Sequence, residues 1–210
     1  AYYPWEMFHM MVKVAAGERP AFSLDSIKAK YDTTYPKEAI PMYFTSNHDE
    51  NSWNKSDYAT FPGASHAPFA VFTQTMSGSV PLVYSGQEEP LLRPLPFFEK
   101  DSIVFNKLER AKFYTTLQKL RTNNPSLAAD ASFRKIMAGN EKAIYAYVRE
   151  KSGKKMLVIL NLSKKEQVIK IADKTLHGNP YNVFMGATEP LTGSEWKLQP
   201  WGYVIYEYKD

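Results

Sequence analysis

Seven consecutive residues, Asn47-His48-Asp49-Glu50-Asn51-Ser52-Trp53, put carboxamides, an imidazole, two carboxylates and an indole within reach of one small ligand. The set suits a polyhydroxylated molecule. Amides and carboxylates exchange hydrogen bonds with hydroxyl groups, and an aromatic face covers the C–H surface of a sugar. The same stretch also reads as a polar turn with an N-capping aspartate, and the residue types alone leave both readings open. His48 taken singly is an ordinary loop histidine. A metal site does not follow, because His9, His66 and His177 are scattered, and neither His-x-x-x-His nor an acidic calcium-loop spacing occurs. A second polar segment, Ser85-Gly86-Gln87-Glu88-Glu89, comes some way downstream.

The elements that position these segments are legible from period and punctuation. Pro4, then Trp5, Phe8, Met11, Val12 and Ala15 at helical spacing, then Gly17, predict a helix. After a polar stretch, residues 39–46 form a short apolar run that empties into the Asn47 segment, so a strand is expected there. Phe69, Phe72 and Met76 predict a helix over 66–77, stopped by Gly78. Residues 80–84 predict a second strand, with Pro81 near its start, and it empties into the Ser85 segment. Residues 90–105 hold three prolines without a period and read as a long functional excursion. Helical spacing returns over 107–121 with Phe113, Leu117 and Leu120, and Asn123-Asn124-Pro125 ends it. Beyond Ser126 the pattern becomes short strands at 143–148, 156–160, 167–171, 181–184 and 203–206, an antiparallel sandwich. The fold class expected is therefore α/β followed by all-β, with a boundary near 122–131. In parallel α/β sheets and barrels, ligands sit at the carboxyl ends of strands. That singles out Asn47–Trp53 and Ser85–Glu89.

Composition narrows the function classes. The 210 residues are 44% apolar and 23% charged, which is neither a disordered nor a low-complexity profile. No apolar run reaches the roughly 18–20 residues of a membrane span. The amino terminus has no basic segment followed by an apolar one. Without cysteine there is no disulfide or thiolate chemistry. Residues 1–100 carry 8 Lys and Arg against 11 Asp and Glu, so the net +4 arises in the second half, where Lys and Glu are mixed as in Ser163-Lys164-Lys165-Glu166. Nothing there forms a polyanion-binding block, so no nucleic-acid partner is expected.

The Phe-Thr strand before Asn47-His48-Asp49, followed by Pro81-Leu82-Val83-Tyr84-Ser85-Gly86-Gln87-Glu88, resembles the last portion of the α-amylase family, glycoside hydrolase family 13. Phe97-Phe98-Glu99-Lys100-Asp101, the run Leu120 to Leu127 and Leu157 to Ser163 extend the likeness over nearly the whole chain. The resemblance implies that 1–125 is the C-terminal part of a (β/α)8 (TIM) barrel and 126–210 the C-terminal β-sandwich domain. It implies a retaining reaction on α-1,4-glucans such as starch and maltodextrins, run by two carboxylates about 5–5.5 Å apart. A third carboxylate and a histidine grip the distorted sugar. By motif, Asp49 resembles that third carboxylate, the transition-state stabiliser, and His48 its companion donor, with Asn47, Trp53 and Tyr84 as substrate-binding candidates.

The sequence also departs from the family pattern. The nucleophile of the family follows an Arg-x-Asp strand end and its acid/base glutamate comes from the next strand, both upstream; here no Arg-x-Asp occurs. The expectation is that nucleophile and acid/base are not in this chain, which is then inactive in isolation, and that its first strand presents an open edge for a second copy or for the other part of the barrel. Glu195 beside Trp196 is expected to be a strand residue, and Glu88 and Glu89 to shape the pocket or hold a neighbouring loop. Trp196, Trp201, Tyr203, Tyr206 and Tyr208 could form a starch-binding face or fill the sandwich core. No cofactor is implied, the calcium sites of the family being built upstream, and the family setting favours a periplasmic or extracellular location. Two rival readings remain: a non-catalytic carbohydrate-binding or assembly module, and an interaction scaffold that binds no oligosaccharide. Upstream loops decide among amylase, cyclomaltodextrinase, neopullulanase and transferase activity.

Overall fold

The computed structural model describes residues 1–191 and 195–208. Helix α1 (Trp5–Ala16) ends as expected at Gly17, whose left-handed backbone (φ 81°) returns its N–H to Val14 O. Helix α2 (Ser23–Thr34) occupies what reads in the sequence as a mere polar stretch. Only Leu24 and Tyr31 of α2 are buried, too few to make a stripe. It is held from outside: Asp25 takes the Tyr145 hydroxyl at 2.8 Å and the Lys135 ammonium, and the Tyr31 hydroxyl accepts the N–H of Met7 at 3.2 Å.

Strand β1 (Met42–Tyr43) is followed by α3 (Asp57–Thr60), α4 (His66–Thr75) and β2 (Val80–Pro81), a β-α-β arrangement in which β1 and β2 pair in parallel, Met42 opposite Val80 and Tyr43 opposite Pro81. Regular pairing is shorter than the expected 39–46 and 80–84. Tyr2 adds one isolated parallel bridge to Pro41. Helix α5 (Ala111–Asn123) starts later than residue 107, because Leu108 takes a positive φ of 50° and the Glu89 carboxylate captures the N–H groups of Lys107 and Leu108.

The chain is otherwise mostly β-sheet. Strands β3 (Ser132–Ile136), β4 (Ile144–Lys151), β5 (Lys154–Asn161), β6 (Gln167–Ile169), β7 (Tyr181–Asn182), β8 (Ala187–Thr188), β9 (Trp196–Leu198) and β10 (Tyr203–Tyr208) follow. Six of them form an antiparallel sheet in the order β3-β4-β5-β10-β7-β8, and β6 pairs with β9. The expected strand over 181–184 stops at Asn182, whose Oδ1 accepts the N–H groups of Phe184 and Met185 and turns the chain. Glu195 lies just before β9, exposed and paired with Lys170 at 2.9 Å, rather than within a strand.

Period-two alternation gives the six-stranded sheet two buried faces. Tyr145, Tyr147, Met156, Val158, Leu160 and Ile205 pack into one core with α1 and α4, whereas Ile144, Val148, Leu157, Ile159 and Tyr206 pack into a second core against β6 and β9. The five aromatics that could have made one sugar-binding face are therefore divided. Trp201 and Tyr203 join the first core, and Trp196, Tyr206 and Tyr208 the second.

A buried cation locks the helices to the sheet. Arg149 on β4 is fully buried and donates to Ser132 O (2.8 Å), Thr75 O (2.6 Å), Ala128 O (2.7 Å) and Ala131 O (3.4 Å). Thr75 closes α4, so the guanidinium sits at the negative end of that helix dipole. Burial pulls its pKa down to about 10, which leaves it charged at neutral pH. Arg149→Ala removes the shared donor from these carbonyls, leaving Ala128 O only its bond from Ala131 N–H, and should lower the unfolding free energy by about 3 kcal/mol; a guanidinium-chloride midpoint within error of the parent would refute the clamp.

Asp173 supplies a pH test. The Thr175 hydroxyl, the Arg134 guanidinium and the Thr175 N–H hold its carboxyl at about 2. A pKa depressed on folding means the stabilisation is complete above about pH 4 and lost as the pH falls through about 2. Asp173→Asn should flatten this part of the acid limb in urea titrations between those values; an unchanged slope contradicts the assignment.

Candidate functional site

Parallel pairing of β1 with β2 sends both chains out of the same side of the pair. Leu82 N–H bonds to Tyr43 O at 2.8 Å, and from there the segments Phe44–Trp53 and Val83–Glu89 form neighbouring loops. Gln87 ties them together. Its Nε2 donates to Thr45 Oγ1 (2.7 Å) and to the Asp57 carboxylate, while its Oε1 accepts Tyr84 N–H at 2.6 Å. Asp57 Oδ2 also accepts the Thr45 hydroxyl at 3.1 Å and lies 2.7 Å from His66 Nε2. The Tyr114 hydroxyl is 3.1 Å from the same nitrogen, and the Tyr58 ring stacks on His66 with centroids 4.1 Å apart. Burial first, and then the charge of Asp57, pushes the Tyr58 and Tyr114 phenols up, so both stay neutral donors.

On this buried base the rim is open. His48 is exposed and Asp49 half-exposed, with His48 Nε2 at 3.5 Å from Asp49 Oδ1. Both side chains are free to meet a ligand from solvent. Asn47 is fully buried: its Oδ1 accepts Glu50 N–H at 2.9 Å and its carbonyl accepts Asn51 N–H, so it shapes the loop from beneath. A short π-type turn, Glu50–Asn54, follows.

Trp53 is 60% exposed and leans on Phe97 and Phe98, with centroids 5.0 and 6.0 Å away. The excursion that carries these phenylalanines is pinned to the rim by Leu95 N–H to Asn51 Oδ1 (2.7 Å) and by Ser56 Oγ to Leu92 O (2.8 Å). Tyr84 is half-buried and lines a separate cleft of about 550 Å³ with Glu88 and Tyr114. Glu89 turns away from the rim and holds the loop at 107–108. The structure thus brings His48 and Asp49 together and sets Trp53 and Tyr84 to either side.

Sequence reasoning missed the polar knot. Asp57 and Tyr58 are neighbours, but His66 and Tyr114 lie 9 and 57 positions beyond Asp57, and nothing in their local context marks them as partners. Thr45, Gln87 and Tyr114 lay in stretches that carry the family resemblance, but not as partners of one another. Among the described residues, no group of three or more His, Cys, Asp or Glu side chains is placed to hold a metal ion, and no helix is long and apolar enough to cross a membrane.

Removing the tie should loosen the whole rim. Gln87→Leu leaves Thr45, Asp57 and Tyr84 N–H short of partners, and a loss of about 2–3 kcal/mol is expected. Hydrogen exchange should accelerate at both loops together; a loss of protection confined to residues 84–89 would show that Gln87 does not couple them.

Comparison with known proteins gives a consistent picture. Residues 133–205 match the family model described as the maltogenic amylase C-terminal domain. The fold is similar to that of the maltogenic α-amylase AmyB from Thermotoga neapolitana (TM-score 0.79, 18% identity, 98% of this chain and 50% of that one). It is likewise similar to an α-amylase from Lactobacillus plantarum (0.79, 17%, 99% and 47%) and to AmyP solved with maltose (0.71, 16%, 98% and 49%). The chain spans about half the length of these structures. No curated protein matches it. The resemblance to the C-terminal portion of an α-amylase-family protein is thereby borne out.

Proposed function

We propose that this chain is the carboxyl-terminal portion of an α-amylase-type hydrolase that cleaves α-1,4-glucans with retention, and that it supplies the transition-state carboxylate, Asp49, but neither nucleophile nor acid/base. The observation that carries this reading is the parallel register of β1 and β2, which sets the His48–Asp49 loop beside the Gly86–Gln87 loop at the carboxyl ends of two neighbouring strands. That is where a barrel places its chemistry. Residues 1–125 are then the closing part of the (β/α)8 barrel, and 126–210 its sandwich domain. The open edge expected on the first strand carries the isolated Tyr2–Pro41 bridge, and β2 pairs only with β1 among the described residues, so the outer edges of this pair are the seam for the rest of the barrel or a second copy.

In this reading Asp49 accepts hydrogen bonds from ring hydroxyls, and His48 donates to the same sugar. As the anomeric carbon gains positive charge, the hydroxyls become more acidic and those bonds shorten. Interactions that strengthen in this way lower the barrier, whereas equal grip on ground and transition states would not. The knot beneath keeps the loop fixed while the sugar distorts. AmyP has been solved with maltose and with maltotriose, which supports an oligosaccharide ligand for the fold.

The test is made on the polypeptide that carries this chain together with the upstream carboxylates. Asp49→Asn should depress kcat on maltoheptaose by on the order of 10²-fold or more, the scale of deleting one transition-state contact, with thermal stability unchanged. Near-normal turnover removes Asp49 from the catalytic account. The non-catalytic module is separated by the 210-residue chain itself: maltoheptaose binding that survives Asp49→Ala and is lost with the sandwich aromatics would favour it.

A further inference from the structure

A small pocket of about 210 Å³ lies at the opposite end of the β1–β2 pair from the rim, under the residues that lead into the two strands. Ala39 and Pro41 border it before β1, and Ser77 and Gly78 before β2. Its walls are phenols: Tyr2, Tyr31, Tyr35 and Tyr43 all line it, with Asp32 beside them. The rings are fixed in place. Tyr2 and Tyr35 stack with centroids 4.4 Å apart, and the Tyr31 ring stands nearly perpendicular to both, at 5.9 and 5.6 Å. Tyr2 is pinned by its N–H to Ile40 O (3.0 Å) and by Met42 N–H to its own carbonyl (2.8 Å), and the Tyr31 hydroxyl by Met7 N–H.

Two further observations bear on what the pocket takes. Tyr43 is only 2% exposed, yet its hydroxyl makes no hydrogen bond among the described residues, a state that buried polar groups avoid unless something else meets them. The surroundings are also electronegative. Asp32 lies in the last turn of α2, which holds no basic residue, so the negative end of the helix dipole adds to the carboxylate. Burial first, then the neighbouring phenols and Asp32, pushes the Tyr2 phenol up to about 12 and raises that of Tyr43. Two lysines are near. Lys28 is committed to Asp32 Oδ2 at 2.6 Å and lies over the Phe133 ring at 5.1 Å, and Lys37 borders the pocket as an exposed residue. Neither offsets the charge of Asp32 at Tyr2 or Tyr43.

We infer that this pocket binds a small quaternary ammonium compound of the choline type. Such a cation is weakly hydrated and is met by aromatic faces, here set at right angles to one another, with a carboxylate close by. A primary ammonium loses strong hydration on entry and finds one carboxylate with an oxygen already taken by Lys28. An anion would face Asp32 and the negative end of α2, and a neutral apolar molecule would gain nothing from either. The hydroxyl of choline supplies the partner that Tyr43 lacks. The inference is independent of the glucan reading, because none of these residues belongs to the rim or to the polar knot beneath it.

Calorimetric titration of the 210-residue chain with choline should give a single site per chain. Dimethylbutanol, the neutral isostere with carbon in place of nitrogen, should bind at least about tenfold more weakly, the scale of a cation held against desolvated rings. Tyr35→Ala and Asp32→Asn change exposed positions, and circular dichroism checks that both fold. Each should weaken choline by about fivefold or more, whereas Tyr35→Phe, which keeps the ring, and Asp49→Ala should leave it within about twofold. Equal binding of choline and its isostere shows an apolar cavity and overturns the inference. So does the absence of a choline isotherm in the unaltered chain, or an isotherm that neither Tyr35→Ala nor Asp32→Asn changes. Choline binding that is lost with Asp49→Ala but kept in those two variants puts the cation at the rim and overturns it as well.

Discussion

A guanidinium without a carboxylate is the constraint around which this molecule is arranged. Arg149 is sealed from water, and its hydrogen bonds go to backbone carbonyls, one of them closing α4 and the others from the segment 128–132. An ion in that position is tolerable only if every donor finds an acceptor. The four carbonyls cannot drift independently, so the sheet and the helix that supports β2 share one frame. Arg121 repeats the device, donating to Gln74 O and Ser79 O at the same helix end. Between these arginines the Tyr147 hydroxyl meets Thr75 Oγ1 at 2.5 Å. Polar groups thus fix the register in which the apolar faces close.

The consequence reaches the rim. The span α4 to β2 is anchored at Thr75 and Ser79 by the arginines, and at His66 by the Asp57 knot. Its two ends are therefore held by different polar networks, one facing the sheet and one facing the loops. Asp57 Oδ1 and His66 Nδ1 have no partner among the described residues, so the knot is held through a single carboxylate oxygen and a single ring nitrogen. Such an arrangement resists small displacements because any shift strips more than one bond at once.

Much of this was legible in the amino-acid order where period and punctuation are local. Helix α1 follows from Pro4, Gly17 and an apolar stripe, and β4, β5 and β10 from short apolar runs set off by turn signals, whose alternate residues sort into two cores. The rim loop was legible because its chemistry is packed into seven residues. What stayed hidden depends on partners distant in sequence. Helix α2 lacks a stripe and is kept by Asp25 reaching Lys135 and Tyr145. The start of α5 is set by Glu89, some twenty positions earlier. The division of the aromatics at 196–208 between two cores depends on which elements cover each face of the sheet, and the residue types along one strand do not carry that information.

On the proposed reading, in which the chain holds only part of a catalytic set, the rim is shaped nonetheless. Retaining hydrolysis needs its charged groups at fixed separations, yet the support for each can be built locally. Here the hydrogen bonds that support the Asp49 loop come largely from residues 45–114: Asn47 shapes the turn, and Thr45, Asp57, His66, Gln87 and Tyr114 fix what lies below. None of those bonds requires a residue from the strands that would bring a nucleophile. On that reading the rim is preorganised to hold a sugar before any reaction occurs. Grip of that kind would give binding without turnover until the nucleophile and the acid/base carboxyl groups face it across the same ring.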